Sequence, residues 1–380
     1  MTQNTRFDSA PFSLIVHILR ARRAFRAAGV FFAIAAMAMA ACLVWGGPKP
    51  LPPLRSIGDP FKDVRFDGMP ALQTFTARDG TPLAYRRYDP AGQGNGRGSV
   101  MLVHGSSGNS NSVHPLAQSF LEAGYTVYAF DIRGHGQSGV KGQVGYIGQL
   151  DDDLEDFVGA AQPARPRTLL GFSSGGGFAL RVAGSPRGAQ FDNFLFMAPY
   201  IHYKAMTNRS GASAAWASVG LARLVSLVLL NRVGVPTFND LPVLNFAVAE
   251  NPKADLVRQY SYALAVSFQP PDGYRAAIRS IARPAEVMAG ADDELFFADQ
   301  YRPLLDEAGR PDIPVTVVPA TGHISLTLSP AGRAAAVAAV QRMDAPFELA
   351  WAACPVPWRS TAPGAAHTCF CVPPPARSST

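Results

Sequence analysis

The sequence predicts an α/β protein built on a doubly wound, mostly parallel sheet, and three observations lead there. Short apolar runs alternate with helical stretches from about residue 70 to 343, the rhythm of strand–helix–strand units. Each run is dominated by apolar residues, as in strands covered on both faces. One of them runs directly into Gly171-Phe172-Ser173-Ser174-Gly175 and then a helix, at the carboxyl end of a strand, where such sheets carry their chemistry.

Composition supports a globular chain. The 380 residues are 48% hydrophobic and 16% charged, which excludes an intrinsically disordered protein. Gly 35 and Pro 32 follow no G-X-Y period and no long stretch repeats, so collagen and solenoid architectures are excluded too. The net charge of +6 is unevenly spread. Arg6, Arg20, Arg22, Arg23 and Arg26 stand against Asp8 in the first 26 residues, which leaves little excess elsewhere and no basic cluster for a nucleic-acid partner.

That basic arm, residues 1–26, precedes residues 27–47, a segment without a charge. At about 1.5 Å per residue it reaches roughly 31 Å, enough to cross a bilayer core. The expectation is one N-terminal transmembrane helix with the arm in the cytoplasm and the bulk of the chain extracytoplasmic. Ala36-Met37-Ala38 and Ala38-Met39-Ala40 also resemble signal-peptidase sites, and Met39-Ala40-Ala41-Cys42 a lipoprotein box, so a secreted form or a lipoprotein are the alternatives. Residues 48–69 are Pro-rich and expected to be a stiff spacer. Cys354, Cys369 and Cys371 fall in a Pro-rich tail, residues 344–380, expected to be disordered; their spacing, with His367 alone beside them, does not fit a metal or redox motif.

Within residues 70–343, strands are expected at 99–103, 126–130, 167–172, 193–197, 285–289 and 315–318. Helices are expected at 113–123, 150–161, 174–183, 297–308 and 324–342. The long interval at about 201–283 reads as a helical cap inserted into the sheet. Its stretch 211–230 carries a single charge, Arg223, and suits a buried cap helix, a lid or a membrane-contacting face.

A serine hydroxyl attacks only when a base takes its proton, and the base needs an acid to hold its tautomer. Ser173 sits in the G-x-S-x-G turn. Downstream, the loop after the strand ending near Gly290 holds Asp292 and Asp293, and the loop after the last strand holds His323. Ser173, Asp293 and His323 are therefore the candidate catalytic set, with Asp292 the alternative acid and a helix-capping role the alternative for Asp293. The backbone N–H groups of Ser174 and Ser106 are the candidate oxyanion hole. His104 is read as structural.

These residues resemble the α/β-hydrolase superfamily, and more narrowly the serine aminopeptidase family that includes monoacylglycerol lipase and lysophospholipase-like enzymes. The resemblance rests on Leu102-Val103-His104-Gly105, on Asp131-Ile132-Arg133-Gly134-His135-Gly136-Gln137-Ser138, on the serine turn and on Gly322-His323. It implies a hydrolase using Ser173, Asp293 and His323, with no metal or other cofactor. Phe172 and Ser174 depart from the common G-H-S-M-G form of the turn. An apolar cap next to a membrane segment favours a carboxylic ester or acyl lipid as substrate. A peptide amino terminus would call for clustered carboxylates, whereas Asp240, Glu250, Asp255 and Asp272 are scattered. The other classes to weigh are an aminopeptidase of the same family and a non-catalytic binding protein.

Overall fold

The computed structural model describes residues 10–62, 64–90, 96–249 and 254–352. The chain opens with α1 (Ala10–Trp45), whose stretch Phe25–Trp45 has a mean hydropathy of 2.4 and no buried part. Helix therefore begins inside the basic arm, earlier than the uncharged segment. After a short α2 (Arg55–Gly58) come β1 (Leu72–Thr76), β2 (Pro82–Tyr88), β3 (Ser99–Val103), α3 (His114–Glu122), β4 (Thr126–Phe130), α4 (Gln149–Ala161), β5 (Arg167–Phe172), α5 (Ser174–Ala183) and β6 (Asn193–Met197). An insertion follows: α6 (Ser210–Trp216), β7 (Ala217–Val219), α7 (Leu221–Arg232), β8 (Pro242–Phe246), β9 (Gln259–Ser261), α8 (Tyr262–Ser267) and α9 (Tyr274–Arg279). The sheet then resumes with β10 (Ala285–Gly290), α10 (Tyr301–Glu307), β11 (Val315–Val318), α11 (Ser325–Leu328) and α12 (Pro330–Ala352).

The main sheet has eight strands in the order β1-β2-β4-β3-β5-β6-β10-β11. Pairing is parallel from β4 through β11, while β1 and β2 form an antiparallel hairpin that pairs antiparallel with β4. Every residue of β3, β6 and β10 is buried, which is why their sequences show no alternation. α3 and α12 pack on each other, with α3 on β4 and α12 on β6, β10 and β11, and α5 packs on β3, β5 and β6. The order reverses around β3, and the carboxyl ends of β5, β10 and β11 come to one rim.

All six expected strands are present. Besides the early start of α1, the helix expected at 324–342 is broken at Ser329, whose extended backbone before Pro330 separates α11 from α12, and four further features differ from expectation. The hairpin β1–β2 had no clear signature because it is an edge with most of β1 exposed. The cap is mixed, not purely helical, for it contains a three-stranded antiparallel sheet, β7-β8-β9; a three-residue strand such as β7 is too short for alternation to register in sequence. Residues 48–69 do not stand free as a spacer, since the Lys49 N–H donates to Ser218 Oγ (2.9 Å) and the Leu54 N–H to the Ala247 carbonyl (2.7 Å), laying the start of the segment along the cap, while the Asp67 carbonyl near its end meets Gln118 of α3 (3.3 Å). Finally, α12 runs past residue 343. Asp344 is buried and accepts from Tyr125 Oη (2.6 Å) and Asn193 Nδ2 (2.5 Å), so it belongs to the core and not to the tail. Cys354, His367, Cys369 and Cys371 lie outside the described residues.

The turn between β1 and β2 is tied to the loop after β4. Arg133, nearly buried, donates to Asp79 (2.9 Å) and to Asp153 (2.7 and 2.8 Å), and Gln149 Nε2 also donates to Asp79 (2.9 Å). Burial works against ionisation of Asp79, but Arg133 and the Thr81 N–H outweigh it and hold the carboxyl at about 2. That lies below the unfolded value, so the contribution to stability is present above about pH 4 and is lost as pH falls toward 2. The Asp79 side chain is 37% exposed, so solvent screening limits the contribution to about 1 kcal/mol or less. Asp79→Asn is expected to lower the melting temperature by at most about 2–4 °C at pH 7. The gap between the two proteins should close as melts are repeated from about pH 4 down toward pH 2; a gap constant with pH would assign the loss to something other than this charge.

Candidate active site

β5 delivers Ser173 into a turn so sharp that its backbone is left-handed, with φ 56° and ψ −118°. A non-glycine residue holds that conformation only where its surroundings enforce it. Here the Ser173 N–H donates to the Met197 carbonyl on β6 (2.9 Å), and its own carbonyl accepts from Tyr200 N–H (3.0 Å) and Gly177 N–H (3.0 Å). The flanking glycines give the turn room: a Cβ on Gly175 would lie 2.4 Å from the carbonyl oxygens of Val103 and His104.

The loop after β10 brings Asp293 and the loop after β11 brings His323 to the same rim. His323 Nε2 is 3.0 Å from Ser173 Oγ, and His323 Nδ1 is 2.8 Å from Asp293 Oδ2. All three side chains are almost completely buried, at 7% for Ser173, 2% for Asp293 and 1% for His323. The other oxygen of Asp293 accepts the N–H groups of Leu295 (2.8 Å) and Phe296 (2.9 Å). Burial pushes the pKa of this carboxyl up, but His323 and those two N–H donors more than compensate, and the group is held below the usual carboxylate value. Asp293 thus combines the two readings open from sequence: one oxygen binds the local backbone and the other the imidazole. Its neighbour Asp292 is exposed and its backbone N–H pairs with the Thr321 carbonyl (3.0 Å).

The imidazole is held on several sides. The ring of Phe172 lies 4.8 Å from that of His323, and Phe296 meets it edge-on at 5.2 Å and 74°. The His323 N–H donates to Glu294 Oε2 (2.9 Å), which fixes the loop from below. Phe172, one of the two departures from the common turn sequence, is therefore a buried platform for the histidine.

Ser106 and Ser174 also meet, with their hydroxyl oxygens 2.5 Å apart. Ser174 is the first residue of α5, where N–H groups have no helical acceptor. Behind them the Ser107 N–H donates to Tyr260 Oη (2.8 Å), and the Ser107 carbonyl accepts from Val257 N–H (2.9 Å). Tyr260 is on β9, so the cap braces this turn. Its hydroxyl also pairs with His135 Nε2 (2.6 Å). His135 and His104 are fully buried, with ring centroids 4.8 Å apart, and His104 Nδ1 bonds the Gly105 carbonyl (2.8 Å). Burial pushes both imidazoles toward the neutral form, in keeping with structural roles. Sequence reasoning placed Ser173, Asp293, His323, Ser106 and Ser174 together and missed Glu294 and Tyr260, neither of which stands in a motif.

The chain is similar to known proteins at the level of family and fold. A family model described as serine aminopeptidase, S33, matches residues 94–327. A monoacylglycerol lipase of Mycolicibacterium smegmatis is 45% identical over 87 residues, 21% of this chain and 30% of the lipase, so the chain spans under a third of that relative's length. Among solved structures, a soluble variant of monoglyceride lipase from Saccharomyces cerevisiae has a TM-score of 0.56 at 18% identity, covering 74% of this chain and 98% of that one. An α/β-hydrolase from Penicillium sp. has a TM-score of 0.52 at 15% identity, covering 72% and 99%. At such identities the structural likeness concerns the fold.

The tightness of the serine turn is measurable. Gly175→Ala is expected to cost roughly 1–3 kcal/mol or more, because the two carbonyls it meets are backbone and cannot swing away. Gly159→Ala, in α4 with nothing within 4 Å of its Cβ, is expected to be neutral or stabilising by up to about 1 kcal/mol. Thermal melts of the two variants check the contrast, and equal melting temperatures would refute it.

Proposed function

The chain belongs to the serine aminopeptidase S33 family within the α/β-hydrolases, and on that basis we propose that it is a membrane-anchored serine hydrolase of carboxylic esters, with monoacylglycerol or lysophospholipid as the substrate class. The observation that carries this reading is the double contact of His323, 3.0 Å from Ser173 Oγ and 2.8 Å from Asp293. In the proposed reaction Asp293 keeps the proton on Nδ1, which leaves Nε2 free to accept. Ser173 Oγ attacks the ester carbonyl as its proton passes to His323 Nε2. The carbonyl oxygen becomes an oxyanion and is bound by the N–H groups of Ser174 and Ser106. Collapse of this intermediate breaks the acyl–oxygen bond, and His323 returns the proton to the departing alcohol. Water then attacks the acyl-serine with His323 again taking a proton, releasing the acid and free Ser173.

An ester is favoured over a peptide amino terminus by the carboxylates of the cap. Among the described residues, Asp255 is paired with Lys141 (2.7 Å), Asp272 is fully exposed beside His202, and Asp240 is exposed; Glu250 lies outside the described residues. No cluster there awaits an ammonium group. The relative named as a monoacylglycerol lipase supports the lipid substrate. For location, Phe25–Trp45 is long and apolar enough to span a bilayer, and the arginines before it support a cytoplasmic N-terminus.

Ser173→Ala is expected to abolish labelling by a fluorophosphonate and to lower turnover of p-nitrophenyl esters by at least about 10³-fold. Surviving label would assign the reactive serine elsewhere. Asp293→Asn should lose about 10³- to 10⁴-fold by misdirecting the imidazole tautomer, while Asp292→Asn should stay near wild type; the reverse ranking in steady-state kinetics would overturn the assignment. Faster cleavage of aminoacyl-anilides than of esters would favour a peptidase. Retention of the full chain in membranes through a carbonate wash is the expected result for the anchor, and a mature N-terminus near residue 39 or 41 would replace it with a cleaved signal.

A further inference from the structure

The last turn of an α-helix leaves carbonyl groups without helical donors and carries partial negative charge. At the end of α1 these groups are met by the cap. Arg223, on α7, donates from Nε to the Leu43 carbonyl (2.8 Å), from Nη2 to the Val44 carbonyl (2.9 Å) and from Nη1 to the Pro242 carbonyl of β8 (2.8 Å). Its own backbone N–H donates to the Gly46 carbonyl (3.3 Å). Leu43 packs on the apolar cluster of Leu227, Val243 and Tyr262. The two backbones come so close that a Cβ on Gly220 would lie 2.7 Å from the Gly46 oxygen. Charge, hydrogen bonding, apolar packing and backbone proximity therefore join the cap to one end of α1.

That end has a level in a bilayer. Trp45, 81% exposed, closes the apolar stretch Phe25–Trp45, and tryptophan at the end of a span settles at the boundary between hydrocarbon and headgroups. α7 starts beside it. The inner side of α7 is buried through Arg223, Ser226 and Leu227, whereas Leu221, Val225 and Leu229 are 65%, 47% and 46% exposed. Their spacing of four residues puts them in one row about 12 Å long. A helix facing water would carry polar residues on this side.

We propose that Arg223 clasps the cap to the end of the anchor helix and holds the Leu221, Val225 and Leu229 row of α7 in the headgroup layer of the bilayer as a fixed lipid-contacting face. The proposal rests on the reading of Phe25–Trp45 as a membrane anchor. Its occupant is lipid because the row is continuous with the helix end that emerges from the membrane. A second copy of the chain covering the row is the competing outcome.

The test uses the full chain in phosphatidylcholine vesicles, with Cys42, Cys354, Cys369 and Cys371 changed to Ser and an NBD fluorophore placed through Val225→Cys. A Val317→Cys probe on β11 is the reference. The expected result is a blue-shifted Val225 probe that is quenched by brominated phosphatidylcholine, and a Val317 probe that is neither. In the Val225→Cys chain, Arg223→Ala should abolish most of the quenching and lower turnover of vesicle-borne monoacylglycerol severalfold, while turnover of a water-soluble short-chain ester stays unchanged and the protein stays carbonate-resistant. An unquenched probe in a carbonate-resistant protein overturns the proposal, as does a blue shift without bromolipid quenching, which would mean that protein covers the row. Quenching that survives Arg223→Ala removes the clasp. The Val225 probe in the chain with Arg223 intact decides the lipid contact even where Arg223→Ala fails to fold. Release by carbonate would instead refute the anchor reading itself.

Discussion

His323 meets Ser173 and Asp293 at once although the three residues come from loops after three different strands, and that double contact constrains everything around it. It requires β5, β10 and β11 to end at one rim, which parallel pairing through β6 enforces. It also requires a backbone at Ser173 that an ordinary strand end would not adopt. The strain is sustained by hydrogen bonds from β6 and Tyr200 and by close contacts that only glycine permits. The imidazole, once placed, is fixed by two aromatic rings and by the Glu294 carboxylate on its own backbone.

What the sequence made legible follows from how each feature is encoded. Strands covered on both faces write predominantly apolar runs without strict alternation, so β3, β5, β6 and β10 could be bounded almost to the residue. The serine turn is local, since five consecutive residues determine it. His323 was legible because it is the histidine in the loop directly after the last strand. The choice between Asp292 and Asp293 was not, because adjacent residues in a turn differ only in the direction their side chains take, which depends on the N–H groups of Leu295 and Phe296.

Features built from distant pieces left no trace. Glu294 reaches a backbone 29 residues away, Tyr260 one 153 residues away and Arg223 one 180 residues away. No periodicity or motif encodes such pairs. The same holds for the Pro-rich segment after α1: its prolines bar it from a sheet, yet the N–H groups of Lys49 and Leu54 are enough to lay it on the cap. Composition describes what a segment cannot do alone, and tertiary contact decides where it goes.

Tyr260 joins two things usually treated as separable. Its hydroxyl, donated by the cap, accepts the Ser107 N–H beside the candidate oxyanion turn and pairs with His135 in the core. This chain's insertion is therefore not an interchangeable module. A graft of a foreign cap would have to bring its own phenol to the same depth, or leave a buried amide and the Nε2 of a buried imidazole without a partner. Substitutions on the outer surface of the cap leave these two bonds untouched, whereas one at Tyr260 on its inner strand reaches the core of the active site.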